Sequence, residues 1–277
     1  MALKLMYITN NPDVALIAES SGVDRIFVDM EYIGKNLRQG GMDTVQSHHT
    51  FDDVKKISKV LTKAELLVRI NPIHEGSDEY ISTKEEIDKA IENGAQILML
   101  PYFKTINEVK QFVSLVGGRA KTILLLETPD AVKIIDDILK INGIDEIFIG
   151  LNDLSLGYGK KFMFELLSDG TVEMLTKKFM KANIPFGFGG LASLDGGLLP
   201  GKMVLQEHYR LGSKSVILSR SFCNVNKITD LSKIKCIFDR GVKEIRSFEK
   251  KIESSNNLEQ NKIETANVVK KIVEEMR

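Results

Sequence analysis

The chain has 277 residues, 43% of them hydrophobic and 27% charged, which is ordinary usage for a globular protein with one sizeable core. Lys plus Arg and Asp plus Glu number 38 each, so no overall field draws the chain to nucleic acid or to an anionic membrane. No stretch approaches the roughly 20 consecutive apolar residues that span a bilayer.

The opening segment MALKLMYITNNPD carries no apolar run of signal-peptide length. Only two cysteines occur. A reduced, cytoplasmic chain is the simplest expectation, although the sequence leaves a Cys223–Cys236 disulfide open.

In chain order, short apolar runs predict strands at Leu3–Ile8, Arg25–Asp29, Glu65–Ile70, Gln96–Leu100, Thr122–Leu126, Glu146–Ile149, Pro185–Gly189 and Ser215–Leu218. Their near-continuous apolar character is that of strands covered on both faces, as in a parallel sheet. Helical patterns lie between them. Thr50 with Asp53, Ser82 with Glu85 and Thr105 with Glu108 have capping-box spacing, and Gly94 follows one helix as a terminator. In Pro129–Ile141, the residues Ala131, Ile134, Ile135, Ile138 and Leu139 form one stripe that predicts a core-facing helix. Eight βα units in 277 residues predict a single parallel (β/α)₈ TIM barrel over 1–255.

Two features depart from the simplest barrel. The polar loop Tyr32–His49 is too long for a mere connector. Beyond the polar break Ser254–Asn257, a helical extension at 256–277 carries a stripe of Ile263, Ala266, Val269, Ile272 and Met276. That helix either docks on a neighbouring subunit, implying a homo-oligomer, or folds back on its own barrel.

A barrel of this kind places its active site at the C-terminal ends of the strands. There the sequence offers Asp29, Glu31 and Tyr32 after strand two, Arg69 at the end of strand three, Glu127 after strand five and Asp153 after strand six. Glu127 follows four apolar residues, where a carboxylate needs a cation or hydrogen-bond donors. With Asp153 on the adjacent strand it forms a pair that either shares a proton or binds a metal. Hard oxygen ligands suit Mg²⁺, and also Mn²⁺ or Co²⁺, with waters and substrate completing the shell. The bland alternatives are that Asp153 caps its helix and that Glu127 pairs with Arg69. Arg69 suits a carboxylate or a developing oxyanion. His74 and His208 read as exposed. Gly187–Gly190 and Gly196–Gly201 either donate backbone N–H groups to an anion or form a tight turn. No dinucleotide or P-loop fingerprint is present, so no nucleotide cofactor is expected.

The stretches FVDMEY, LLVRINP, ILMLPYF, LLLETPDAVKIIDDIL and IDEIFIGLNDLSLGYG resemble the HpcH/HpaI aldolase/citrate lyase family, class II pyruvate aldolases among them. The resemblance runs from about Val23 to Phe222. It implies that Glu127 and Asp153 bind a divalent metal that chelates a 2-oxoacid and that Arg69 stabilises the enolate oxygen. Two positions differ from the aldolases: Tyr32 stands in place of a histidine that assists the base, and Leu125 in place of a glutamine. Tyrosine, with an ordinary pKa near 10, is a better donor than base. Asp29, Glu31 and Tyr32 are therefore expected to orient water or relay protons. Lys35, Arg38 and Gln39 in the long loop, with Arg220 after strand eight, are expected to hold a distal anionic group, and His48 and His49 lie within reach. The loop, with the FGFGG and LSRSF stretches, is similar to a subgroup linked to surface-polysaccharide pathways. The expected activity is a metal-dependent carbon–carbon lyase or aldolase on a small 2-oxoacid or its adduct. A citrate-lyase-like or malyl-thioester lyase and a non-catalytic ligand-binding barrel are the alternatives.

Overall fold

The computed structural model describes residues 2–34, 49–254 and 257–276. The apolar runs form eight strands, β1 Lys4–Ile8, β2 Arg25–Asp29, β3 Glu65–Arg69, β4 Ile97–Leu100, β5 Lys121–Leu126, β6 Glu146–Ile149, β7 Phe186–Leu191 and β8 Ser215–Leu218. Each pairs in parallel with its sequence neighbour, and β8 pairs with β1, closing the barrel. The predicted (β/α)₈ architecture is therefore the one observed. β7 and β8 are out of simple register between Gly187 and Gly190. Gly189 there has φ +53, and a Cβ on it would lie 2.8 Å from Leu151 Cδ1, so glycine is what this bend admits.

Helices cover the barrel because their apolar stripes face the outer sides of the strands. The three capping boxes form as read, at Thr50, Ser82 and Thr105, and start the helices Phe51–Val60, Thr83–Glu92 and Ile106–Val116. Each offsets N–H groups that a helix start leaves unbonded.

The barrel interior is tiered. At its N-terminal end, the first residues of β2, β3, β6 and β8 form a polar plug. Arg25 Nη1 is 2.8 Å from Glu146 Oε2, Arg25 Nε is 3.1 Å from Glu65 Oε2, and Ser215 Oγ donates to Glu146. Above it lies an apolar tier that includes Met6, Phe27, Leu67, Met99, Leu125 and Phe148, with Ile8 and Ile217 packed on top. The polar residues of the site lie beyond this tier, at the C-terminal mouth.

Three expectations are corrected. Pro129–Ile141 is not one helix: it breaks at Ile134 (φ −102°, ψ 7°) into Pro129–Lys133 and Ile135–Ile138, while Ala131, Ile135 and Ile138 still face the core. His208, read as exposed, is 0% exposed. It sits on the inner stripe of the helix Gly201–Leu211, stacked on Phe188 at 3.7 Å, with Nδ1 2.8 Å from Ser213 Oγ. Burial pushes its pKa down to about 3, so it is a neutral core residue. Its polar sequence neighbours obscured the stripe. The C-terminal stripe is also rotated. In the helix Leu258–Glu275 the buried residues are Asn261, Thr265 and Val269, while Ile263 is 57% exposed. Asn261 Nδ2 donates to Glu207 Oε1 at 2.8 Å and Met203 O at 3.1 Å, and Lys262 pairs with Glu173 at 2.8 Å. These contacts lay the helix on its own barrel. Cys223 is buried and Cys236 exposed, and both are free thiols.

Candidate active site

Register brings the acidic and basic residues together. Asp29 and Arg69 are partners at the ends of β2 and β3. Leu126 and Ile149 are partners at the ends of β5 and β6, so Glu127 and Gly150 leave the sheet side by side. The side chains meet over one cavity of about 230 Å³. Among the described residues lining it, the polar side chains are Arg69, Glu127, Asn152 and Asp153.

Arg69 is held as a fixed fork. Its Nε donates to Asp29 Oδ1 and its Nη2 to Asp29 Oδ2, both at 2.8 Å, and Nη1 lies 3.3 Å from Glu31 Oε2. Asp29 and Glu31 are 2% and 1% exposed. Burial opposes the guanidinium charge, but these two carboxylates outweigh it and raise the Arg69 pKa well above its usual value. The cation also faces the Phe27 ring, 5.6 Å from its centroid. A guanidinium has more N–H donors than these contacts use, and Arg69 lines the cavity.

Glu127 is positioned by backbone. Tyr102 adopts φ +51, rare for a residue with a side chain, and its N–H donates to Glu127 Oε1 at 2.9 Å. The other side of Glu127 meets Gly150, where a Cβ would lie 2.8 Å from both Glu127 Cβ and Oε2. Asp153 lies in the first turn of the helix Leu151–Gly157, whose N-cap is Gly150. Its Oδ1 accepts from Asn152 Nδ2 at 3.3 Å.

Asp29 and Glu31 thus serve Arg69 rather than face the cavity themselves. Tyr32, expected to relay protons, does not line it. Its ring is 41% exposed, packs 5.4 Å from Tyr80, and borders a neighbouring hollow with His49, Asn71, His74 and Glu86. Burial raises the Tyr32 pKa above its usual value, which further weakens it as a base. His49 Nδ1 accepts from the Asp29 N–H at 3.0 Å, so His49 buttresses the end of β2. Arg220 is exposed in the turn after β8 and does not line the cavity. Lys35, Arg38, Gln39 and His48 lie outside the described residues. His74 is half-buried, its ring nitrogens facing Pro72 O and Ile81 O at 2.8 Å. Of the glycine-rich stretches after Pro185, Gly189 and Gly190 line the cavity, as does Gly150 after β6. Gly196 and Gly201 close a turn on Ser193 through Gly196 N to Ser193 O at 2.9 Å and Gly201 N to Gly196 O at 3.1 Å.

Residue type alone did not point to two further pieces. One is the left-handed Tyr102. The other is Asn71, whose Oδ1 accepts from Tyr32 N and Ile33 N at 2.9 Å, while its Nδ2 donates to buried Glu86 at 2.8 Å. Asn71 thereby ties the entry of the long loop to the helix Thr83–Glu92. The Asn before Pro72 in LLVRINP was its faint signal.

Burial raises the Glu86 pKa from 4.5 to about 7, against hydrogen bonds from Asn71 that lower it. A folded-state pKa above the unfolded one means that its stability contribution is full below pH 4.5 and is lost as pH rises through 7. Relative to Glu86→Gln, wild type is expected to lose roughly 3 kcal/mol over that window. Urea denaturation midpoints across it check this, and parallel curves for the two proteins refute it.

Residues 4–165, more than half of the chain, match the sequence model described as HpcH/HpaI aldolase/citrate lyase. The chain belongs to that family. No curated protein sequence matches it. Among solved structures, an HpcH/HpaI aldolase/citrate lyase family protein from Burkholderia cenocepacia J2315 is 14% identical, with 84% of this chain and 94% of that chain covered and a TM-score of 0.61. An HpcH/HpaI aldolase from Desulfitobacterium hafniense DCB-2 is 17% identical over 84% and 93%, TM-score 0.61. The citrate synthase SbnG is 16% identical over 84% and 94%, TM-score 0.59. At these identities the likeness is one of fold. Family membership itself makes this an aldolase/lyase-type chain. No helix among the described residues is long and apolar enough to cross a membrane.

Proposed function

We propose that the chain is a divalent-metal-dependent carbon–carbon lyase or aldolase that acts on a small 2-oxoacid or its aldol adduct. The observation that carries this reading is the convergence of Glu127, Asp153 and Arg69 on one cavity at the C-terminal mouth.

The donor set fits an oxygen-seeking dication. Among the described residues no group of three or more His, Cys, Asp or Glu is placed to hold a metal, so the ligands would be the two carboxylates, with waters and substrate oxygens completing the shell. Glu127 is fixed by the Tyr102 N–H on one side and Gly150 on the other. When bound, such an ion would polarise the carboxylate and keto oxygens of a 2-oxoacid as a Lewis acid. Mg²⁺ suits this site, as does Mn²⁺.

The chain's own contribution is placement of positive charge. In cleavage of a 4-hydroxy-2-oxoacid, the C4 hydroxyl loses its proton and the C3–C4 bond breaks. The electron pair passes to C3 and onto the C2 oxygen, the aldehyde leaves, and C3 takes up a proton. Arg69, oriented by Asp29 and Glu31, donates its remaining N–H groups to the oxygen on which this charge develops. The apolar walls give the carbanionic carbon no side-chain proton donor among the described residues. Asp29 and Glu31 are positioning residues.

The test is exchange of the C3 protons of 2-oxoacids in heavy water, followed by NMR. Exchange that needs Mg²⁺, Mn²⁺ or Co²⁺ and stops on chelation is expected. Exchange that chelation leaves untouched refutes metal dependence. No exchange with any small 2-oxoacid refutes the enolate reading in favour of a binding barrel.

A further inference from the structure

The cavity beneath the site is unevenly built. Its polar side chains, Arg69, Glu127, Asn152 and Asp153, stand at the strand ends, whereas its floor is formed by Ile8, Phe27, Met99, Leu125, Phe148 and Ile217. Phe27, Met99, Leu125 and Phe148 belong to the apolar tier inside the barrel, and Ile8 and Ile217 pack on it. The nearest polar groups below are in the plug of Arg25, Glu65, Glu146 and Ser215, which bond one another. Among the described residues, the floor therefore offers no side-chain hydrogen-bond partner to a substrate group that reaches it.

We propose that this floor makes the site selective for 2-oxoacids with an aliphatic substituent on C3, and that Leu125 is the main specificity-determining residue. This rests on the reading above that a 2-oxoacid binds here. The three oxygens of such an acid lie at its C1–C2 end, and every charged side chain among the described residues lining the cavity lies at the rim. That end therefore faces Arg69, Glu127 and Asp153, an alkyl substituent on C3 points to the floor, and the C3–C4 bond that breaks in an aldol adduct faces the open mouth. A hydroxyl or carboxylate carried on C3 would lose its water on the floor without a replacement partner.

The space is adequate for this. At about 30 Å³ per water, 230 Å³ is the room of roughly seven or eight waters, more than a three-carbon oxoacid fills once its oxygens sit at the rim. Leu125 Cδ1 would lie 3.2 Å from a Cβ built on Gly150. It therefore stands directly under the place where Glu127 and Gly150 meet.

Two acids of equal heavy-atom count separate the cases: 2-oxobutyrate has a methyl group on C3 where 3-hydroxypyruvate has a hydroxyl. Titration calorimetry of both against the full chain in Mg²⁺ is expected to give about ten- to a hundred-fold tighter binding of 2-oxobutyrate, the range for a hydroxyl in an apolar pocket. Leu125→Gln is expected to bring the two affinities within a few-fold of each other. Ile217→Thr, a smaller change at the upper edge of the floor, is expected to narrow the ratio in the same direction and serves if Leu125→Gln does not fold. Equal affinities in wild type, or a ratio unmoved in the folded variant, overturn the proposal. Exchange of the C3 protons is read on the same samples. A binding preference without exchange refutes the enolate reading and leaves the selectivity standing, whereas exchange with equal affinities does the reverse. Binding of neither acid overturns both.

Discussion

Arg69→Ala is expected to lower stability by about 3–5 kcal/mol, the usual effect of removing one partner from a buried ionic group. Asp29 and Glu31 are almost fully buried, and Arg69 approaches both, with a two-pronged bond to the first. Without it, two buried carboxylates lose the cation they share. For a chain of this length the loss corresponds to about 5–10 °C in Tm, measurable by circular dichroism. Arg69→Lys retains charge but not the planar fork, so its loss should be smaller. Exchange of 2-oxoacid protons should fall by roughly 10²- to 10³-fold in either variant, the range for removing one oxyanion donor. A Tm for Arg69→Ala within a degree of wild type would mean that the two carboxylates do not depend on the guanidinium.

The carboxylate pair gives the second large effect. Glu127→Gln keeps the acceptor that Tyr102 N–H needs but removes the charge, so it should fold normally and bind Mn²⁺ at least about 100-fold more weakly, no less than the loss of an outer-shell partner causes. Gly150→Ala reaches the same carboxylate from the other side. Its Cβ would sit 2.8 Å from Glu127 Cβ and Oε2, so the carboxylate must move, and a displacement near 1 Å lowers rates by about 10²-fold. The first variant changes charge without shape and the second shape without charge. Isothermal titration with Mn²⁺ and the exchange assay read both. Unchanged Mn²⁺ affinity in the two variants would sink the assignment of Glu127 as a ligand.

The barrel was legible because its signals are local and repeated. Eight apolar runs and three capping boxes each report a segment's own preference, and a parallel sheet buried on both faces needs no register information to be recognised. Misreadings arose where local preference met a distant partner. Asn261 turns inward because Glu207, more than fifty residues earlier, accepts its amide. His208 is stripped of solvent by Phe188 on another element. No window of sequence contains both members of these pairs.

The candidate site divides in the same way. By itself the sequence determined which charged groups stand near strand ends, because a charged side chain just past an apolar run marks where the chain leaves the core, and Arg69, Glu127 and Asp153 are at such positions. Only the tertiary structure decided what each faces: Asp29 and Glu31 grip Arg69, Tyr32 turns to Tyr80, Arg220 stays outside, and Tyr102 adopts a left-handed backbone to hold Glu127. The physical reason is that closing the barrel fixes the register between strands. Register, which no single strand encodes, sets which side chains at the mouth come within hydrogen-bond reach.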